Sequence, residues 1–271
     1  MSKIRWIVSN DLGSQSDIIQ LVDELKSNED VDYIPVSLEQ VLTPSFKPDI
    51  PVDDIPTIFY GPVNFVTRMG KLGYKPGVYG TPDTYSYDNI CNNIPHEFIF
   101  NDPEGSHIVT ATDVINSYNE NEDYDMFFKP YKDDKSIIGS VKKITDIVDF
   151  CKQVLDGKIP DVDGTTKFVI STPYGITVEY RLFVVDGKII SGSEYNPDKN
   201  NNSIPNKVIE FGNKIIEFWR PEPFFVLDIV ISNNNCFVME IQNFHSAGFY
   251  SSDIGKIVNS INQYLKGIIY V

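Results

Sequence analysis

The chain has 271 residues, with 23 basic and 38 acidic side chains, a formal charge of −15 and a pI near 4.5. A surface of that sign repels polyanions, which argues against general nucleic-acid binding and against attachment to anionic membranes. An apolar share of 41% is enough for a sizeable core in one large domain or two modest ones.

In chain order, Ile4–Val8 and Tyr33–Val36 read as strands. Between them Ile18, Leu21, Val22 and Leu25 recur at helical spacing over Asp17–Leu25. This alternation predicts an α/β layer with a parallel sheet. Pro44–Pro56 reads as a loop, Thr57–Tyr60 as a strand and Asn64–Leu72 as a helix stopped at Gly73; Pro76–Tyr79 and Glu97–Phe100 are further strand candidates. Thr112–Tyr118 reads as a helix capped by Thr112, and Asn119–Asp125 as an acidic linker. Next come a strand at Met126–Tyr131, a turn at Lys135–Val141 and an amphipathic helix at Ile144–Gln153. Lys167–Ser171 and Thr177–Val185 are strands, and the Asp186–Gly187 turn returns the chain as Lys188–Ser191. Ile204–Trp219 and Ile254–Leu265 are helices flanking an apolar hairpin at Phe224–Tyr250. The second half therefore reads as α+β.

Cys91, Cys151 and Cys236 are far apart and lack CxxC spacing, so buried free thiols in a reducing cytoplasm are expected. The apolar run near the N-terminus is too short for a signal peptide, and no stretch approaches the ~18 residues of a membrane span. The motifs for a P-loop, a GxGxxG turn, a GxSxG elbow and HExxH are all missing.

Three places carry charges that an apolar strand must account for. In the last hairpin, a loop at Asn233–Asn235 would set Asp228 opposite Glu240, with Gln242 on the same face. A divalent cation would then relieve the repulsion between the carboxylates. A register one residue away would instead leave one carboxylate solvated. Lys129 sits on the Met126–Tyr131 strand and needs either an ion-pair partner or a phosphate, with Ser136, Gly139 and Ser140 just downstream. On Thr177–Val185, Glu179, Arg181 and Phe183 share a face. A regular turn would place Gly192 opposite Arg181 and Glu194 opposite Glu179. Arg181 is then either a structural ion-pair member or a bidentate grip for phosphate or carboxylate.

The order of these features is Lys129–Pro130, the loop KSIIGS (135–140), EYR (179–181), DGK, and then Asp228, Glu240 and Gln242. In that order they resemble the ATP-grasp superfamily over roughly residues 125–250. FYGPVNFV (59–66) and KPGVYGTPDTYSY (75–87) resemble the preceding domain of a clade of small stand-alone ATP-grasp proteins common in phages and bacteria. The resemblance implies an α+β ATP-grasp fold behind a small α/β pre-ATP-grasp domain. The limits would be 1–105 and 106–271, with the nucleotide between subdomains of about 106–165 and 166–271. It further implies ATP and two Mg²⁺ ions. Lys129, Lys135, Ser136, Gly139 and Ser140 would lie on the phosphates, and Phe168, Ile170 and Ser171 near adenine. Glu179 and Arg181 would lie at the γ-phosphate or acyl group, and Asp228, Glu240 and Gln242 or Asn243 on the metal. Lys129 and Arg181 are the expected catalytic residues; His245, Ser246 and Arg68 are candidates for the other substrate.

The implied reaction joins a carboxylate to an amine, from small molecules or a peptide or protein terminus, through an acyl phosphate. The alternatives are a small-molecule kinase and a nucleotide binder without turnover. A homodimer is expected, without nucleic acid or membrane as partner. Two departures stand out. The family usually has asparagine where Gln242 stands, and a second lysine usually precedes the KP strand. Residues 101–128 contain no Lys or Arg, and His107 is the one possible cation there.

Overall fold

The computed structural model describes residues 3–10, 16–43, 49–100, 106–119, 123–132, 137–173, 175–195 and 202–268. Its contacts gather into two compact units that are discontinuous in the chain. One comprises Met1–Thr81, Val178–Ile229 and Glu240–Val271; the other comprises Pro82–Thr177 and Val230–Met239.

The first unit opens with a parallel sheet in the order β2-β1-β3-β4, formed by β1 (Ile4–Ser9), β2 (Val31–Val36), β3 (Thr57–Tyr60) and β4 (Pro76–Gly77). β1 is central and buried along its whole length, which is why it reads as an unbroken apolar run apart from Arg5. Arg5 is neutralised by Asp32 and Asp53 at 3.1 and 3.0 Å. The expected helices appear as α1 (Ser16–Ser27) and α3 (Val63–Met69), with a short α2 (Leu38–Leu42) that the sequence reading missed.

A second sheet has the order β10-β9-β11-β12, from β9 (Val178–Val185), β10 (Lys188–Glu194), β11 (Phe224–Ser232) and β12 (Asn235–Asn243). Asp186 and Gly187 both take positive φ, as the predicted two-residue turn requires. The helices α7 (Asn206–Phe218) and α8 (Ile254–Ile268) belong to this unit. In α8 the stripe Ile254, Ile257, Val258, Ile261, Leu265 is buried, and it packs in one core with Trp6, Phe183, Phe224, Phe244 and Phe249.

The second unit holds an antiparallel sheet in the order β5-β8-β6-β7, from β5 (Ser106–Thr110), β6 (Asp125–Pro130), β7 (Ser140–Lys143) and β8 (Lys167–Ser171). With it come α4 (Tyr87–Asn93), α5 (Ala111–Ser117) and α6 (Ile144–Leu155). In α6, Ile144, Ile147, Val148, Cys151 and Val154 form the buried stripe that the spacing predicts. The cap of α5 is Thr110, two residues before the expected Thr112. Thr110 and Asp113 form a reciprocal capping box there. Glu97–Phe100 is not a strand: His96–Phe98 is a 3-10 turn, and Ile99 makes a single bridge to Val238.

Among the described residues no helix is long and apolar enough to cross a membrane.

Candidate functional site

In the first unit, Arg181 on β9 is the most constrained charged group. Its Nε and Nη2 donate to Asp228 Oδ1 and Oδ2 at 3.0 and 2.8 Å, a side-on fork, and Nη1 donates to the Gly248 carbonyl at 3.1 Å. Gln242 Nε2 adds a bond to Asp228 Oδ2 at 2.5 Å. Arg181 is 4% exposed and Asp228 1%. Burial works against the guanidinium charge, but the pull of Asp228 and its hydrogen bonds outweigh it and raise the pKa above the ordinary value. The guanidinium carbon lies 4.7 Å from the Tyr195 ring centre and 5.1 Å from that of Tyr250.

The β9–β10 register and the β11–β12 turn differ from expectation, each for a local reason. In β9–β10 the pairing slips between Ile189 and Ser191, so Ser193 faces Arg181, Gly192 faces Leu182 and Glu194 faces Tyr180. One extra residue, Ile190, reverses the alternation from there on. Gly192 still marks a close approach, because a Cβ there would lie 2.5 Å from the Arg181 carbonyl oxygen. In β11–β12 the turn is Asn233–Asn234, both at positive φ, and Asn235 already belongs to the strand. A two-residue turn alone would put Gln242 and Asp228 on opposite faces. Their hydrogen bond therefore requires an extra residue to be accommodated along the strands before Gln242.

This geometry bears on the expected metal ligands. A carboxylate offers about four lone-pair directions. Arg181 and Gln242 take three of those on Asp228, leaving one on Oδ1. Gln242 spends its Nε2 on Asp228, so Oε1 is the atom it could offer a hard cation, and Glu240 is half-buried two residues earlier. Asn243 turns elsewhere: its Nδ2 donates to the Tyr79 carbonyl at 3.0 Å and its Oδ1 accepts from His245 N–H at 2.6 Å. Among the described residues no three His, Cys, Asp or Glu side chains gather into a metal cluster. The set with hard oxygens is mixed carboxylate and amide, and it suits Mg²⁺ if Glu240 supplies most of the negative charge.

In the second unit, Lys129 on β6 is half-buried. Its Nζ is 3.5 Å from the Met239 carbonyl and 5.3 Å from the Tyr87 ring centre. Gly139 of the expected phosphate loop lies against its stem, since a Cβ there would come within 3.1 Å of Lys129 Cβ. Ser140 opens β7 opposite Phe128; Lys135 and Ser136 lie outside the described residues.

A family model for an ATP-grasp domain, the third family of its clade, matches residues 81–261. The chain belongs to the ATP-grasp superfamily. Comparison with curated protein sequences returns no match. Solved ATP-grasp structures share the fold at low identity. The RimK domain ATP-grasp protein of Sphaerobacter thermophilus is 11% identical, with a TM-score of 0.60 and 95% and 99% of the two chains covered. D-alanine–D-alanine ligase from Bacillus anthracis complexed with ATP is 14% identical, with a TM-score of 0.59 and 99% and 100% covered. D-cycloserine synthetase DcsG is 10% identical, with a TM-score of 0.61 and 96% and 99% covered.

Within this ATP-grasp fold, several expected site residues have other surroundings. Phe168 and Ile170 point into the core of the second unit, with Phe168 4.9 Å from Phe128 and 5.9 Å from Phe150 between ring centres. Both pack in that core. Ser171 lies on the other face of β8, in register with Phe127, and among the described residues its buried hydroxyl has no hydrogen-bond partner. His107 pairs with Ile170 whereas Lys129 pairs with Val169, so strand alternation puts His107 on the face away from Lys129. It does not replace the second lysine.

His245 is fully buried. Its Nε2 accepts from Tyr79 N–H at 2.9 Å and its Nδ1–H donates to the Phe59 carbonyl at 2.7 Å. Burial lowers its pKa to about 4, partly opposed by the Phe59 bond. With both nitrogens committed it pins the loop and is not a base for an amine. Ser246 follows it half-buried in a 3-10 turn. Arg68, half-buried on α3, donates to the Thr43 carbonyl at 3.2 Å. Glu179 is half-buried on β9, and its carbonyl accepts from Tyr195 N–H at 2.8 Å.

The sequence reading missed Tyr195; it expected the loop Asn243–Tyr250 to face the second substrate, without singling out Gly248 or Tyr250 beside Arg181. Two cavities in the first unit, of about 630 and 490 Å³, are lined by residues other than the expected site residues.

Proposed function

We propose that the chain is an ATP-dependent carboxylate–amine ligase that forms an amide or peptide-like bond through an acyl phosphate. Arg181 carries this reading. It is a buried, permanently charged fork, fixed on the Asp228 carboxylate to which Gln242 also donates, inside the stretch that matches the ATP-grasp family. Lys129 and the loop through Gly139 and Ser140 would hold phosphates, with Lys135 and Ser136 as further contacts. The orphaned Ser171 hydroxyl would be satisfied by the base or ribose. Glu240, Gln242 Oε1 and at most one oxygen of Asp228 would hold Mg²⁺, whose charge would offset that of the phosphates. Arg181, with Glu179 beside it on β9, would meet the phosphoryl group as it passes to the substrate carboxylate. An amine would then displace phosphate from the acyl phosphate. No side chain need act as nucleophile, so the protein contributes positioning and charge neutralisation. Arg68 and Ser246 are proposed as contacts of the second substrate. The proposed limits are 1–105 for the N-terminal domain and 106–271 for the ATP-grasp domain.

A nucleotide binder without turnover is the second reading. It is favoured by two observations: His107 faces away from Lys129, and Arg181 and Gln242 together take most of Asp228's capacity.

Titration calorimetry with Mg²⁺ and AMPPNP tests the first reading, on wild type and on Lys129→Met and Glu240→Gln. Metal-dependent binding weakened about tenfold in each variant is expected. A screen for ADP release over carboxylates with and without amines follows. Release that requires an amine supports the ligase, release without one indicates a kinase, and binding without release leaves the second reading. If the wild type does not bind, the ATP reading is wrong.

A further inference from the structure

Two irregularities of the backbone converge on Arg181. The bulge at Ile190 reverses the alternation of β10, and this brings Ser193 and Tyr195 onto the Arg181 side; Tyr195 N–H bonds the Glu179 carbonyl two residues before Arg181. Without the bulge, Tyr195 would point to the opposite face. Tyr250 has φ +50°, a left-handed conformation that a bulky non-glycine residue adopts only when its surroundings impose it. Each irregularity delivers one tyrosine ring to the same guanidinium.

The rings do not sandwich Arg181. Their centres are 4.5 Å apart and lie 4.7 and 5.1 Å from the guanidinium carbon, a nearly equilateral triangle. Both rings therefore sit to one side and form a notch. The Tyr250 phenol is raised in pKa by burial and by its hydrogen bond to Tyr195. Tyr195 remains 38% exposed, which is more than a ring serving only as core filling would show. An arginine has five N–H donors. Three are taken by Asp228 and Gly248; among the described residues, one on each terminal nitrogen is left.

We propose that Tyr195 and Tyr250 are positioning residues that hold the Arg181 guanidinium so that its two remaining N–H groups, one on each terminal nitrogen, meet a single phosphoryl group edge-on. The two rings crowd one side of the guanidinium, and Asp228 occupies the Nε–Nη2 edge. The two terminal nitrogens each keep one N–H, and together these would match two oxygens of one tetrahedral anion. This rests on the ATP reading above and adds to it that discrimination for the terminal phosphoryl group is set by two tyrosines that need not touch the nucleotide.

The test is calorimetry of the full chain with Mg²⁺, comparing AMPPNP with ADP, for wild type, Tyr195→Leu, Tyr250→Leu, Tyr195→Phe and Tyr250→Phe. Wild type is expected to prefer AMPPNP. Each leucine variant should lose about tenfold of that preference while its ADP affinity holds, and each phenylalanine variant, which keeps the ring, should retain it. Circular dichroism of the leucine variants confirms that they are folded, and the phenylalanine variants serve in the comparison if they are not. Four results overturn the proposal: leucine variants that keep the full preference, leucine variants that lose both nucleotides equally, folded phenylalanine variants as impaired as leucine, or a wild type that binds ADP and AMPPNP alike. The last of these would leave ATP binding standing. A wild type that binds neither would remove the ATP reading and this proposal with it.

Discussion

Arg181 and Lys129 are the two cations on which the proposed chemistry depends, and the molecule treats them in opposite ways. Arg181 is closed in by a two-oxygen fork, a backbone carbonyl and two aromatic rings, and is 4% exposed. Lys129 is half-buried, with one carbonyl at the long limit of a hydrogen bond and a ring 5.3 Å away. The guanidinium is preorganised, so little of its freedom remains to be lost when an anion arrives. The ammonium, on a flexible stem that is only partly enclosed, can follow a phosphate that moves. In the proposed chemistry one site would supply direction and the other adaptability.

The comparison breaks most sharply at Asp228. Replacing Asp228 with Ala leaves a buried guanidinium without its counter-charge, and about 3–5 kcal/mol of stability should be lost in urea unfolding. An Arg181→Met and Asp228→Leu pair should recover much of this, because the desolvation of both charges is then removed as well. Equal losses in the single and double variants would mean the pair is not what holds this region.

A second handle is the loop that carries Gly248 and Tyr250 to Arg181, since His245 pins its start. The folded pKa of His245 is about 4, below the ordinary 6.5. The folded state therefore favours the neutral ring, and its contribution is complete above pH 6.5 and is lost as pH falls toward 4. The amount is about 3 kcal/mol. Stability followed from pH 7 to 4 should show this loss in wild type and a flatter profile in His245→Gln. An unchanged slope in that variant would place the pH dependence elsewhere.

The smallest effect belongs to the other side of the comparison. Lys129→Met should change stability by less than about 1 kcal/mol, since its side chain is only half-buried and methionine keeps the apolar stem. A loss comparable to that of Asp228→Ala would show that Lys129 is a structural ion and would end the contrast.

The elements are legible in the sequence because their periodicities are clean, as in α6, α8 and β1. The site is legible by residue type, and less so by position. Arg181 and Asp228 stand out as charges on apolar strands, but the partner expected for Asp228 is a metal, whereas the structure pairs the two with each other. The register of β10 is hidden because a bulge at Ile190 costs one residue and leaves no compositional mark among Ile189, Ile190 and Ser191. The run Asn233–Asn235 conceals the turn length, because asparagine tolerates the left-handed region at any of its positions. The surroundings of Phe168 and Ile170 are hidden for a simpler reason. β8 is buried on both faces, so its apolar run does not say which side is core.

The Arg181–Asp228 pair has one more consequence. Together the two groups carry no net charge, so their field fades over a short distance, and they cannot draw a polyanion in from solution. The chain as a whole carries −15 and pushes such a ligand away at long range. Dissolved ions shorten that repulsion to about 8 Å at physiological strength. For a nucleotide approaching this protein, added salt should therefore quicken the encounter, the reverse of what a basic cleft would produce.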